Sequence, residues 1–174
     1  TDARLIDIVA DGFDAGFRLA EAVPQDMVSV RLGPDVRLLV VCSPDYLARQ
    51  NAVPQTPHDL LSHACIRYRF TSGKLYRWEF ERDGKSVVLD VGGPLTLDSP
   101  LLMAEAALHG VGIAYVYEGY VCEHLQSGRL VQLLPDWTPV YAGLCLYYPR
   151  QRHITAALRA FIDLAKEARG AFAV

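Results

Sequence analysis

One stretch of the chain, residues 95–118 with the sequence LTLDSPLLMAEAALHGVGIAYVYE, restricts the possible fold more than any other. Leu95–Leu97 is predicted to end a strand, Ser99 to cap a helix with its side chain, and Pro100 to be the first helical residue. Proline fits there because its missing N–H would have no partner in the first turn. Gly110 is predicted to end the helix, since glycine adopts the left-handed conformation without strain.

The helix between these signals is expected to bury Leu101, Ala104 and Leu108, which recur at three- and four-residue spacing. The apolar run Val111–Tyr117 is predicted to form a buried strand. A strand, a helix and a strand in this order form a βαβ unit, whose two strands are parallel and joined by a right-handed crossover.

The helix of this unit is expected to begin at the carboxyl end of its first strand, next to Asp98 and Ser99. Open α/β sheets bind ligands at the carboxyl ends of their strands. The unpaired N–H groups of the first helical turn favour an anion there, while the carboxylate of Asp98 opposes one. The residues therefore predict a ligand-binding edge without fixing the charge of the ligand.

Strands and helices alternate along the rest of the chain, which indicates an α/β architecture. A helical pattern is predicted over residues 5–9, and Ser43 with Pro44 repeats the cap chemistry of Ser99 and Pro100. A β-hairpin turning at Asp83 and Gly84 is expected to decorate the fold. The remaining strands are predicted over residues 13–19, 27–32, 36–42, 65–70, 130–134 and 141–148, with short helices near 44–49 and 120–125 and an amphipathic helix over 154–169.

Composition and charge exclude several classes of protein. The 174 residues are 51% hydrophobic, which suffices for a folded core. The net charge of −3, with basic residues scattered along the chain, argues against DNA binding by this segment itself. No charged start followed by an apolar run and no membrane-spanning run is seen, so we expect a cytoplasmic protein without membrane contact.

The sequence offers no recognisable catalytic or metal-binding machinery. The glycines of residues 110–112 follow a helix and precede a strand, the reverse of a dinucleotide-binding fingerprint. No GxSxG elbow is present, and no histidine–cysteine spacing matches a zinc site. We therefore predict no catalytic residue, no metal and no cofactor. The cysteines are interpreted as reduced structural thiols: Cys42, Cys65, Cys122 and Cys145.

Six segments, in order, resemble the effector-binding domain of LysR-type transcriptional regulators. They are DIVADGFDAGFRL, VVCSPDYLAR, TPHDLLSHACIRYRFTSGKLYRWEFERDGK, AALHGVGIAYVYE, GRLVQLLPDW and LYYPRQRHITAALRAFIDL. The resemblance implies an α/β, two-subdomain, periplasmic-binding-protein-like (type 2) fold with three-layer αβα subdomains and a cleft for a small-molecule effector. It also implies a homodimer or homotetramer, and DNA contact only through a winged helix-turn-helix domain upstream.

The resemblance also implies how the subdomains divide the chain. The first is expected to comprise residues 1–66 and 142–174, and the second residues 67–141. The first strand-helix-strand block of the family's sensing domain has no counterpart here. We therefore expect an N-terminally truncated domain whose first subdomain is incomplete.

Candidate effector-binding residues come from the predicted edge and from the segment RYRFTS. Along that strand Arg67 and Arg69 alternate with Tyr68 and Phe70, so one face is expected to be basic and the other aromatic. Serine and threonine hydroxyls in the following loop suit the orientation of a polar ligand. The predicted effector-binding residues are Arg18, Tyr68, Arg69, Phe70, Thr71, Ser72, Asp98, Ser99 and Tyr115.

Other interpretations of these residues stay open. Arg18 and Arg69 are equally explained as surface or structural ion-pair residues, and the tyrosines as core residues. The favoured function is an effector-sensing module that responds to an aromatic or carboxylate metabolite by changing its oligomeric geometry. The alternatives are a stand-alone solute-binding protein of the same fold and an enzyme on an α/β scaffold.

Overall fold

The computed structural model describes residues 12–19, 23–150 and 154–167. The helix predicted over residues 5–9 lies outside the described residues. The strands are β1 (Gly16–Leu19), β2 (Met27–Arg31), β3 (Val36–Cys42), β4 (Cys65–Tyr68), β5 (Trp78–Arg82), β6 (Lys85–Leu89), β7 (Leu95–Leu97), β8 (Ile113–Tyr117), β9 (Val131–Leu133), β10 (Val140–Tyr141) and β11 (Leu144–Pro149). The helices are α1 (Pro44–Ala48), α2 (Pro100–Leu108), α3 (Cys122–Gln126) and α4 (Ala156–Glu167), with 3₁₀ turns at Pro57–Ser62, Glu118–Tyr120 and Pro135–Trp137.

The chain divides into two compact units. The first comprises residues 1–36 and 140–174, and the second residues 37–139. The boundary predicted between residues 66 and 67 falls inside the sheet of the second unit, because both residues belong to β4, which is hydrogen-bonded to β7 and β8. The mixture of strands and helices in both units is that of an α/β protein, as predicted.

The first unit contains a three-stranded antiparallel sheet in the order β1-β11-β2. The helix α4 buries Ile162 and Ala165 against a core that includes Leu32 and Leu146. These helical residues are three apart, so one stripe of the helix faces the sheet, as the amphipathic pattern predicts.

The second unit is built on a mixed sheet in which β3, β8, β4 and β7 follow one another in that order and β9 pairs with β3. The strand β4 is parallel to both β7 and β8, while β3 is antiparallel to β8 and β9. The two strands of the predicted βαβ unit are therefore parallel, with β4 inserted between them. Gly110 ends α2 with φ of +69°, which confirms its predicted role.

One face of this sheet, the helix face, packs against α2. Successive side chains of a strand point to opposite faces, so alternate sheet residues contribute to it. Its buried members are Leu39, Val41, Ile66, Ala114 and Val116 of the sheet with Met103, Ala104 and Ala107 of α2.

The buried side of α2 differs from the prediction in one residue. Leu101 is 59% exposed, while Met103 and Ala107 are buried with Ala104. Only Glu105 among the nine residues of α2 is polar. The apolar spacing therefore could not distinguish the inward from the outward side, and the prediction for Leu101 was wrong.

The opposite face, the hairpin face, is covered chiefly by the hairpin β5–β6. Trp78 and Phe80 are 0% and 2% exposed, so this hairpin is a structural layer and not the decoration that the sequence predicted. Its turn is formed by Asp83 and Gly84, both with positive φ, as expected for a two-residue hairpin connection. The buried members of the hairpin face include Val40, Cys42, Tyr46, Leu60, Cys65, Trp78, Phe80, Leu89, Ile113 and Tyr115.

Candidate functional site

The carboxyl ends of β4, β7 and β8 lie at one edge of the second unit's sheet, which we call the carboxyl edge (Tyr68, Leu97 and Tyr117). In the parallel ladder between β4 and β7, Tyr68 is opposite Leu97. The backbone N–H of Arg69 continues this ladder by donating to the carbonyl oxygen of Leu97 at 2.8 Å. The segments that follow β4 and β7 therefore start side by side.

A tight turn after β4 presents Thr71 and Ser72 at this edge. The N–H of Phe70 donates to the carbonyl of Lys74 at 2.9 Å, and Gly73 adopts a positive φ of +84° to close the turn. The side chains of Thr71 and Ser72 are exposed, and their hydroxyl groups make no hydrogen bond to any residue in the described part of the chain. Both hydroxyls are therefore available to a ligand.

Four aromatic rings form a row around the carboxyl end of β4: those of Tyr68, Phe70, Tyr76 and Tyr115. The ring of Tyr68 meets that of Phe70 edge-on at 5.2 Å, and Phe70 meets Tyr76 in the same way at 5.8 Å. Tyr76 is stacked on Tyr115, with 6.2 Å between ring centroids. Tyr68 packs against the helix face and Tyr115 belongs to the hairpin face, so this aromatic row links the two layers.

Tyr115 is the most deeply buried of the predicted site residues. It is 4% exposed, and its hydroxyl donates to the backbone carbonyl of Glu79 at 2.6 Å. The alternative that it is a core residue is thus favoured by its surroundings, because the hydroxyl is already satisfied by the backbone.

Asp98 and Ser99 precede the first turn of α2, as predicted. Ser99 has extended backbone angles, and its carbonyl accepts from the N–H of Met103 at 3.1 Å, so it occupies the N-cap position. Its side chain, however, makes no capping hydrogen bond. The prediction that the Ser99 hydroxyl caps the helix was therefore wrong, and the first N–H groups of α2 lack that partner.

The two arginines of the RYRF segment differ in their surroundings. Arg69 is exposed and makes no ion pair with a residue of the described ranges. Arg67 is partly buried, and its Nε atom is shielded from solvent without a hydrogen-bond acceptor among those residues. Of the two, only Arg69 was predicted to bind the effector.

The carboxyl edge also carries an ion pair that the sequence did not predict. Arg37 and Glu118 are 81 positions apart and form a two-point ion pair, with Nε–Oε2 at 3.0 Å and Nη2–Oε1 at 2.5 Å. They meet because Leu38 of β3 is opposite Tyr117 of β8. No spacing in the sequence signals such a pair, since it depends on antiparallel register.

Arg18 belongs to β1 of the first unit. Its guanidinium lies over the ring of Tyr147, 5.0 Å from the ring centroid, which is a cation–π geometry. Within the first unit this side chain thus has a structural contact, which fits the alternative of a structural role that the sequence left open.

The described residues contain no group of three or more metal-binding side chains. Their four cysteines are free thiols. Burial raises the pKa of the Cys42 and Cys65 thiols to about 12, which keeps both protonated at neutral pH. Among the helices of the described residues, none has the length and apolar character needed to cross a bilayer.

Comparison with known families identifies a close similarity. Residues 1–170 match the family described as the LysR substrate binding domain. Among curated proteins, the uncharacterised helix-turn-helix-type transcriptional regulator YcaN of Escherichia coli is 43% identical over 166 residues, which cover 95% of this chain and 54% of that protein. The regulator PgrR of the same organism is 38% identical and covers 95% of this chain and 55% of its own. The chain thus spans about half the length of these relatives.

Solved structures share the fold at lower sequence identity. Full-length AphB, a virulence activator of Vibrio cholerae, superposes with a TM-score of 0.74 at 23% identity and covers 97% of this chain and 55% of its own. CrgA, a LysR-type transcriptional regulator of Neisseria meningitidis, gives a TM-score of 0.74 at 24% identity and covers 97% and 56%. The fold is therefore the periplasmic-binding-protein-like (type 2) fold that the sequence predicted.

Proposed function

We propose that this chain, which belongs to the family of LysR substrate-binding domains, is the effector-sensing domain of a transcriptional regulator. In this proposal it binds a small molecule at the carboxyl edge. The observation that carries the site is the meeting of two segments at adjacent strand ends. One follows β4 and supplies Arg69, Phe70, Thr71 and Ser72, and the other follows β7 and supplies Asp98 and Ser99.

The polar groups at this edge support a binding role because several have no partner among the described residues. The hydroxyls of Thr71 and Ser72 are uncommitted, Arg69 has no ion pair, and the side chain of Ser99 does not cap α2. Polar groups that converge beside aromatic rings are typical of small-molecule sites, where the rings supply contact area and the polar groups supply orientation.

The aromatic row indicates the class of effector. Phe70 is half-buried at the end of β4 and packs between the rings of Tyr68 and Tyr76, while Tyr115 lies behind them. We propose that Tyr68 and Phe70 contact an aromatic or carboxylate metabolite and that Tyr115 holds Tyr76 in place from the core. Arg18 stays a proposed effector-binding residue of the first unit by family resemblance alone, and within that unit its guanidinium lies over the ring of Tyr147.

Regulation would follow from differential binding. A ligand shifts an equilibrium between two states only by its difference in affinity for them. We propose that the domain forms a homodimer or homotetramer whose geometry the effector changes, and that DNA is contacted by a winged helix-turn-helix segment outside residues 1–174. The net charge of −3 fits this division of labour, since phosphate contact requires a basic surface.

YcaN and PgrR are transcriptional regulators by name, which supports a regulator without enzymatic activity. We propose that it acts in the cytoplasm, where a regulator meets DNA. Leu101 and Leu102 are 59% and 54% exposed on the outer side of α2 and supply apolar surface for self-association. Sedimentation velocity at increasing concentration tests the oligomer. A species that stays monomeric at the highest soluble concentration would contradict it.

A thermal-shift screen of aromatic metabolites and small carboxylates tests the binding function. A ligand that binds only the folded state stabilises it by about 2.7 kcal/mol at a concentration of 100 Kd. The shift should be lost in a variant carrying both Thr71→Ala and Ser72→Ala, and retained in the matched control Ser86→Ala, which changes an exposed serine of β6. If the ligand raises the melting temperature of both variants equally, the turn after β4 is not part of the binding site.

A further inference from the structure

Three nitrogen donors of the described residues are buried without an acceptor: Arg67 Nε, Trp78 Nε1 and Trp137 Nε1. Buried donors in native proteins nearly always have a partner, because an unpaired one costs the free energy of its lost hydration. The two indoles are neutral, whereas Arg67 also carries a full positive charge. Arg67 is therefore the donor whose missing partner matters most.

Arg67 lies on the hairpin face, close to the carboxyl edge. It is opposite Thr96 of β7, and it is two residues beyond Cys65, which faces the same side of the sheet. On the other neighbouring strand, Cys65 is opposite Ile113. Tyr115 is likewise two residues beyond Ile113, so Arg67 and Tyr115 are side by side on that face.

A second orphan donor is close to the same tyrosine. The ring centroid of Trp78 is 5.3 Å from that of Tyr115, and Trp78 is 0% exposed. Tyr115 itself is satisfied by its hydrogen bond to the carbonyl of Glu79. Arg67 and Trp78 thus flank Tyr115 with unused N–H groups where the aromatic row enters the core.

Two other arginines of the second unit have hydrogen-bond acceptors for their guanidinium groups. Arg37 is held by both carboxylate oxygens of Glu118, and Arg49 donates to the carbonyl of Gly110 at 2.7 Å. Arg67 makes no such contact with any described residue. A partly buried cation without a counter-charge is unfavourable, so an acceptor with negative charge would stabilise the site.

We infer that Arg67 binds an oxyanion group of the effector, a carboxylate or a phosphate, through charge-assisted hydrogen bonds. This inference rests on the proposed function and makes the effector an anion whose charged group is held between β7 and β8, next to the aromatic row. Arg69 is the weaker candidate because it is exposed, and solvent and salt screen an exposed charge.

Nuclear magnetic resonance of the protein labelled with ¹⁵N-arginine tests this directly. The Nε–H signal of Arg67 is assigned by its disappearance in Arg67→Lys, and the probes are benzoate, acetate and inorganic phosphate, with benzamide as the uncharged match to benzoate. We expect an anion to shift the Arg67 signal and slow its hydrogen exchange, while benzamide leaves it unchanged. A response to phosphate alone or to a carboxylate alone identifies the kind of oxyanion.

Affinity measurements on two matched variants complete the test. Arg67→Lys keeps the charge and removes the forked donor, and should weaken binding of the responding anion about tenfold or more. Arg129→Lys makes the same chemical change on an exposed arginine outside the carboxyl edge and should leave the affinity within about threefold. Should Arg67→Lys fold poorly, the Nε–H signal of Arg67 is assigned by through-bond correlation to its own backbone in uniformly ¹³C,¹⁵N-labelled protein, and its response in the unaltered protein decides the question.

Two results would overturn the inference and are distinguishable from failure of the proposed function. If a probe binds and stabilises the protein but the Arg67 signal and the Arg67→Lys affinity do not change, Arg67 is not the anion contact and the sensing function stands. If none of the three anions perturbs Arg67 up to its solubility limit, the inference fails, and the wider ligand screen then decides separately whether the domain binds an effector at all.

Discussion

Arg37 donates from Nε and Nη2 to the two carboxylate oxygens of Glu118, and this pair joins β3 to the 3₁₀ turn that follows β8. The hydrogen bond to Glu118 raises the pKa of the Arg37 guanidinium, partly offset by burial. The side chains are 46% and 36% exposed, so water and salt weaken the attraction. The pair therefore orients β3 relative to the turn after β8 through its two-point geometry, while its contribution to the free energy of unfolding is small.

A double-mutant cycle measures this relationship. Arg37→Gln, Glu118→Gln and the double variant should give a coupling free energy of about 0.5–1 kcal/mol in urea unfolding at low salt, falling at high salt. The control pair is Arg82 and Asp83, which are 3.6 Å apart with Asp83 86% exposed and should show no coupling. Equal coupling in both cycles would mean that the two-point geometry of Arg37 adds nothing.

The two Ser-Pro helix starts are predicted to differ in stability. The buried hydroxyl of Ser43 accepts from the N–H of Tyr46 at 3.2 Å, whereas the side chain of Ser99 makes no capping bond. Ser43→Ala should lower the free energy of unfolding by about 1 kcal/mol, and Ser99→Ala by less than about 0.5 kcal/mol. Chemical denaturation of both variants checks the difference, and a larger loss for Ser99→Ala would contradict the observed geometry.

These two serines show what the sequence predicts and where it stops. The Ser-Pro pattern located the start of α1 and of α2 correctly, because backbone propensities act locally. Whether the hydroxyl reaches the N–H of the third residue depends on the rotamer and on the neighbouring strand. These depend on tertiary structure and not on the local sequence. The same Ser-Pro dipeptide therefore gives a side-chain cap at Ser43 and none at Ser99.

The candidate site shows the same division. The placement of Asp98 and Ser99 at the start of α2 followed from the predicted βαβ unit, whereas the pairing of β4 with β7, which brings Arg69 to the same edge, did not. The partly buried state of Arg67 and the contact of Arg37 with Glu118 did not follow, because both depend on sheet register and on the layer above it. Leu101 was misplaced because an almost wholly apolar helix carries no directional pattern.

Thiol reactivity is predicted to separate the cysteines. Cys42 and Cys65 are fully buried with pKa values raised to about 12, while Cys122 is half-buried. Since the thiolate is the reactive form, Cys122 should be modified first by a disulfide reagent at pH 8, and Cys42 and Cys65 only after unfolding. Mass spectrometry of peptides from the folded protein checks the order. Early labelling of Cys65 would show that the hairpin layer opens.

The same buried thiols predict a loss of stability at alkaline pH. Their folded-state pKa lies above the value near 8.5 of an exposed cysteine, so between these values the unfolded chain releases a proton that the folded chain keeps. Stability should be unaffected below about pH 8 and fall above it, by up to about 1.4 kcal/mol per pH unit for each thiol. Cys65→Ala should reduce that slope in urea unfolding from pH 8 to 10.5, and an unchanged slope would contradict the burial of Cys65.

Two adjacent glycines should respond very differently to the same substitution. A Cβ at Gly93 would lie 1.8 Å from the carbonyl oxygen of Cys65, a backbone atom that cannot rotate away, whereas a Cβ at Gly92 meets nothing within 4 Å. Gly93→Ala should therefore destabilise the second unit by about 3 kcal/mol or more, because the chain must separate from β4. Gly92→Ala should be neutral or stabilise by about 0.5 kcal/mol through reduced freedom of the unfolded chain. Thermal and urea unfolding of the two variants make the comparison, and a small effect at Gly93 would mean that its approach to Cys65 is looser than the structure shows.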